Sequence, residues 1–94
     1  MDTFNVQATR SAIDDLQGIP NRFREQIITS IKPLYTTPLL SGTWIKKLKG
    51  FKPPLYRLRS RDYRILYRIE GRNIIIMRVI DRKELEKIIK RLHL

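Results

Sequence analysis

Residues 55–80 read LYRLRSRDYRILYRIEGRNIIIMRVI, and the reading of this stretch decides the fold. Tyr56, Leu58 and Ser60 alternate with Arg57, Arg59 and Arg61, and then Tyr63, Ile65, Tyr67 and Ile69 alternate with Arg64, Leu66 and Arg68. A period of two is that of a β-strand with one face toward a core. Glu70-Gly71-Arg72-Asn73 has the composition of a hairpin turn, and Ile74 to Ile80 supplies the next strand. The stretch therefore predicts an antiparallel meander.

Outward from it, the period changes on both sides. Asp81 can cap a C-terminal helix, with Glu84 three residues on in the manner of a capping box. Leu85, Ile88, Ile89 and Leu92 make that helix amphipathic. Toward the N-terminus, Phe4, Val6 and Ala8 alternate with polar residues as in a strand. A helix follows from Thr9 or Ser11, with Ala12, Ile13 and Leu16 on one face and Gly18 as its stop. Pro20 can open a second helix, where Phe23, Ile27, Ile31 and Leu34 recur at helical spacing. Pro33 removes the bond to the Thr29 carbonyl, so that helix kinks or ends there. Residues 36–42 read as a turn-rich connection. The expectation is an α+β domain over residues 1–94: N-terminal strand, helical hairpin, antiparallel sheet of three to four strands, C-terminal helix.

The chain is 94 residues long and without cysteine, which excludes disulfides and thiolate metal sites, and its single histidine, His93, argues against His-rich metal sites and a Ser-His-Asp triad. Its longest apolar run, Ile74 to Met77, is far short of the ~20 residues a membrane helix needs. The opening residues have no export signal, which predicts a soluble cytoplasmic protein. The formal charge of +11 is unevenly spread. Residues 1–45 hold four basic and four acidic groups, and residues 46–94 hold sixteen basic and five acidic ones. Such asymmetry points to a polyanionic partner.

Strand alternation gives that charge a place. Arg57 and Arg59 project together, as do Arg64 and Arg68, and Arg78 falls opposite an apolar set of Ile75, Met77 and Val79. With the helices covering the Tyr/Ile/Leu/Val face, all five arginines emerge on the other, with Arg82 at the rim. Guanidinium forks on a rigid sheet suit bidentate phosphate contacts. Leu66, Ile74 and Ile76 share the arginine face, so part of it needs a cover, either the C-terminal helix or a partner. Tyr56, Tyr63 and Tyr67 read as core residues; Trp44 reads as a core plug or as a base-stacking platform.

The run Lys46-Lys47-Leu48-Lys49-Gly50, then Leu55-Tyr56-Arg57-Leu58-Arg59, then Asp62-Tyr63-Arg64-Ile65-Leu66-Tyr67 resembles the RelE/ParE toxin superfamily of toxin–antitoxin pairs. Arg78-Val79-Ile80-Asp81-Arg82-Lys83-Glu84 resembles that family's terminal strand and the arginine after it, and the likeness spans roughly residues 3–86. The short helical hairpin, without an Asn-Pro-x-x-Ala-like turn, resembles the RelE branch more than the gyrase-poisoning ParE branch. The resemblance implies a ribosome-dependent mRNA endoribonuclease that needs no metal or other cofactor and is held by an acidic cognate antitoxin. It also implies catalytic roles for Arg57, Arg59, Arg64 and Arg82, with Lys46, Lys47, Lys49, Arg61, Arg68 and Arg78 contacting RNA. The family's usual Tyr after the late arginine is absent, and Asp81 stands where some relatives have His. Lys46, Lys47, Lys49, Asp81 or Glu86 would then have to serve as general base. The competing implications are a gyrase inhibitor, or a binding module of the same fold with weak or no cleavage.

Overall fold

The computed structural model describes residues 3–36 and 44–92. The element order is β1 (Asn5–Ala8), α1 (Arg10–Gln17), α2 (Asn21–Ile31), a 3-10 turn (Lys32–Tyr35), β2 (Ile45–Leu48), β3 (Leu55–Ser60), β4 (Tyr63–Glu70), β5 (Asn73–Asp81), a second 3-10 turn (Arg82–Glu84) and α3 (Leu85–Leu92). The α+β order expected from the sequence is present, and the sheet is larger than the meander alone. It has five strands in the order β1-β5-β4-β3-β2. β2, β3, β4 and β5 run antiparallel to their neighbours, while β1 pairs in parallel with β5 at the far edge.

Local chemistry explains the boundaries. The Thr9 hydroxyl accepts from the Ala12 N–H at 3.1 Å, capping α1. Gly18 closes α1, Pro20 stands at the N-cap of α2, and α2 ends at Ile31 where Pro33 forces a tighter turn. At the second hairpin Gly71 takes φ +61°, and at the first Arg61 takes φ +53°. The connection expected at residues 36–42 lies outside the described residues save for Thr36.

The sheet is covered on both faces. One cluster joins Ala12, Ile19, Ile27 and Leu34 of the helical layer to Leu58, Ile65, Tyr67, Ile74, Ile76 and Val79 of the sheet. The Tyr67 ring stacks on Tyr56, with ring centroids 5.5 Å apart, and burial pushes its phenol pKa upward. A second cluster lies on the other face, where Ile88 of α3 meets Phe51, Leu55, Leu66 and Ile80, with Leu48, Met77, Leu85 and Ile89 packed around them. So α3 covers the half of the arginine face that carries leucine and isoleucine.

One strand departs from the expected parity. Leu66 pairs with Arg78 and Tyr67 with Ile76, which leaves Met77 as an extra residue, a β-bulge. Ile74 and Ile76 therefore face the α1–α2 layer rather than the arginine face, and Met77 joins the α3 side instead of standing in one set with Val79. The bulge is held from β1: the Thr9 N–H donates to the Ile76 carbonyl at 3.0 Å and its hydroxyl to the Met77 carbonyl at 2.9 Å.

Candidate nucleic-acid interface

Register brings the basic residues of β3 and β4 side by side. Arg59 is directly opposite Arg64, and Arg57 is opposite Leu66, so the three guanidinium groups share the α3-side face beyond the apolar patch. Arg64 is only 8% exposed. Its Nη1 donates to the Arg61 carbonyl at 2.7 Å and to the Tyr63 carbonyl at 2.9 Å, which fixes the side chain against the β3–β4 turn. The left-handed backbone of Arg61 belongs to that same turn.

Arg82 arrives from the other end of the chain. Its N–H donates to the Asp62 carbonyl at 2.8 Å, and its Nε lies 3.9 Å from an Asp62 carboxylate oxygen. The β3–β4 turn thus positions both Arg64 and Arg82. Burial lowers the Arg64 pKa, and the charges of Arg57, Arg59 and Arg82 lower it further, with Asp62 opposing. Arg57 is lowered by burial and then by Arg59. Guanidinium groups stay protonated regardless. The shifts record positive charges that crowd one another and that an anion would relieve.

The remaining predicted residues divide. Lys46 pairs across from Arg57, on the arginine side of β2, while Lys47 pairs with Tyr56 on the opposite side. Lys46, Lys47 and Lys49 are exposed, the last in the turn after β2. Arg61 is exposed at the hairpin tip. Arg68 shares the strand face with Arg64 by alternation but stands four residues along β4, roughly 13 Å away. Its Nε is buried without a hydrogen-bond partner.

Arg78 pairs with Leu66 and so keeps the arginine side of β5, opposite Val79, but it does not join the cluster. Instead its guanidinium reaches α1, where Nε and Nη2 contact the two carboxylate oxygens of Asp15 at 2.7 and 3.0 Å, and the Val79 N–H donates to the same carboxylate at 2.9 Å. The hydrogen bond to Asp15 raises its pKa. The expected five-arginine face is therefore a three-arginine cluster, Arg57, Arg59 and Arg64, completed by Arg82. Asp81 accepts from the Lys83 N–H at 2.8 Å as a helix cap, and Glu86 is exposed on α3.

Asp62 heads the family-like run 62–67, but the sequence pattern assigns it no role. Its signal was its place in the two-residue Arg61-Asp62 break between alternating runs, since a turn there brings its carboxylate between Arg64 and the late arginine. Among the described residues no group of three or more His, Cys, Asp or Glu could hold a metal ion, and no helix is long and apolar enough to cross a membrane. Preorganised guanidinium groups of this kind stabilise negative charge developing on a phosphate without having to reorganise.

This fold is shared with known proteins. A family model described as ParE toxin of type II toxin-antitoxin system, parDE, matches residues 6–91. Toxin RelE3 of Methanocaldococcus jannaschii is 32% identical over 82 residues, which span 85% of this chain and 92% of that protein. The archaeal RelE-RelB complex from Pyrococcus horikoshii OT3 contains a chain with TM-score 0.73 and 25% identity, the likeness covering 85% of this chain and 96% of that one. The RelB-RelE complex from Methanococcus jannaschii contains one with TM-score 0.70 and 29% identity, covering 87% and 96%. By sequence and by fold alike, this chain belongs to the RelE/ParE superfamily of toxins of type II toxin–antitoxin systems.

Proposed function

We propose that the chain inhibits translation as an endoribonuclease that cuts mRNA on the ribosome. The observation that carries this reading is the meeting of Arg57, Arg59, Arg64 and Arg82 at one end of the sheet, where their charges act on one another. In the reaction a ribose 2′-oxygen attacks the adjacent phosphorus, the bond to the 5′-oxygen breaks, and a 2′,3′-cyclic phosphate forms. The proton leaves the 2′-hydroxyl for a base, and another reaches the departing 5′-oxygen. Arg64, held by two backbone carbonyls, meets a non-bridging phosphate oxygen, and Arg57 and Arg59 neutralise the flanking phosphates. Arg82, tethered to the β3–β4 turn, faces the charge on the leaving oxygen. Each guanidinium works by electrostatic preorganisation.

An acidic antitoxin segment is the natural inhibitor of such a surface, because it offers carboxylates to the same forks. Complexes of relatives with RelB support a partner of this kind.

The test is expression in a translation extract with a reporter mRNA. Cleavage within translated codons is expected, with Arg64→Ala and Arg82→Ala each slowing it about 10²–10³-fold. The match to a ParE family model favours gyrase as the second reading. Intact mRNA together with arrested supercoiling would move the activity there.

A further inference from the structure

Trp44 is the largest side chain left in the open. It is 61% exposed, the highest value among the described large hydrophobic residues that are exposed. The core does not use it, which removes the core-plug reading. It is nevertheless held in place: the Arg59 N–H donates to the Trp44 carbonyl at 2.7 Å, just beyond the end of β2. That bond places Trp44 across from Arg59, a residue of the cluster.

Trp44 also lines a groove of about 920 Å³ between α2 and the β2–β3 edge. The groove runs past Arg59 and Arg61 on the strand wall and past Arg22 and Glu25 on the helix wall. The Ser30 and Ser60 hydroxyls, 2.7 Å apart, also line it. Charge is divided between the walls. On the helix side Glu25 offsets Arg22, whereas the strand side adds Arg59 and Arg61, and Arg59 is in turn the cross-strand neighbour of Arg64. That division of charge favours a phosphate backbone on the strand wall over the helix wall.

We infer that Trp44 and this groove form a nucleobase subsite, in which a base next to the phosphate held by Arg59 stacks on the indole. The inference rests on the ribonuclease reading and deepens it. Stacking tolerates any base because each has a π-face, so the subsite fixes the register of the strand more than its sequence. It also gives the chain an aromatic platform at the opposite side of the cluster from α3.

The chain contains one tryptophan, so its fluorescence reports on this position alone. The probe is a 2′-O-methyl tetranucleotide, which cannot be cleaved, compared with an abasic backbone of the same length. Saturable quenching by the base-bearing probe is expected, with the abasic one binding about tenfold more weakly. Trp44→Ala should weaken binding of a labelled probe about tenfold, and Trp44→Phe should restore most of it, with circular dichroism unchanged in both. Equal binding to wild type and Trp44→Ala, with unquenched fluorescence, overturns the subsite and leaves the ribonuclease reading standing. No binding to wild type at low salt overturns the subsite, and the ribonuclease reading is then decided by the translation-extract test alone. Quenching by a polyglutamate peptide but not by the oligonucleotide assigns the groove to a protein partner and overturns the inference.

Discussion

Arg61 is the residue where this chain accepts backbone strain. It occupies the left-handed region at φ +53°, at the first position of a two-residue turn whose counterpart in the next hairpin is Gly71 at φ +61°. A non-glycine residue there costs about 1 kcal/mol or more. What the conformation provides is a carbonyl directed at Arg64 Nη1, 2.7 Å away, and a cation at the rim of the candidate interface. Arg61→Gly should therefore raise stability by up to about 1 kcal/mol in urea unfolding, since it relieves the strain while keeping the carbonyl. The same variant should bind single-stranded RNA more weakly, with a salt slope lower by about 0.7, as expected for one lost phosphate contact on a single strand. A variant that is no more stable than wild type would remove the strain argument. An unchanged salt slope would remove Arg61 from the interface.

At the scale of elements, the β5 bulge decides which way Ile74 and Ile76 face, while an ion pair to α1 keeps Arg78 out of the arginine cluster. Arg78, paired with Leu66, keeps the arginine side of β5, but its guanidinium is held by Asp15 of α1, and the same carboxylate also takes the Val79 N–H. Both partners are largely screened, with side chains 29% and 16% exposed. Removing the carboxylate leaves a cation and an N–H with poor access to water. Asp15→Ala should thus cost about 2–3 kcal/mol in stability. Arg78→Met should leave mRNA cleavage per folded molecule unchanged, unlike Arg64→Ala; a loss of cleavage would return Arg78 to the interface. This bulge also marks where the sequence stops being readable. In β3 and β4 strict alternation identifies Arg57, Arg59 and Arg64 as one set, and the register bears that out. In Ile74-Ile75-Ile76-Met77-Arg78-Val79-Ile80 the residues are apolar on both sides of the pleat, so nothing in the pattern signals the slip. The strand is buried against α1 and α2 on one face and α3 on the other, which is why it carries no polar alternation. The parallel pairing of β1 with β5 was equally hidden, because it depends on two distant segments meeting. The role of Asp62 was hidden for a related reason: it exists only once the turn brings Arg82 beside it.

Over the whole molecule the excess charge becomes a matter of stability. The formal charge is +11, and Arg57, Arg59, Arg64 and Arg82 of the candidate interface crowd one another, with the Asp62 carboxylate beside Arg64 and Arg82 offsetting part of that charge. Their repulsion works against folding and is relieved by screening or by an anion seated among them. The Arg78–Asp15 pair pulls the other way, since salt weakens attraction between opposite charges, but it is one partly shielded pair against a crowded cluster. Repulsion should win. Raising ionic strength from about 0.01 M to 1 M shortens the screening length from about 30 Å to 3 Å, less than the spacing of neighbouring side chains on the face. If this recovers about 1 kcal/mol, Tm should rise by about 4–8 °C for a domain of this size. At matched ionic strength, inorganic phosphate should stabilise more than chloride, because a guanidinium fork binds it through two hydrogen bonds and a ligand bound only to the folded state adds its own stabilisation. General exclusion of phosphate from protein surfaces also raises Tm. The difference between phosphate and chloride is therefore compared with that of Arg59→Gln, which leaves general exclusion in place and removes one fork. A smaller phosphate advantage in the variant, with a higher Tm than wild type at low salt, is the expected result. An equal advantage in both proteins would mean that the arginines crowd one another without forming an anion site, and the phosphate-holding role would fall with it.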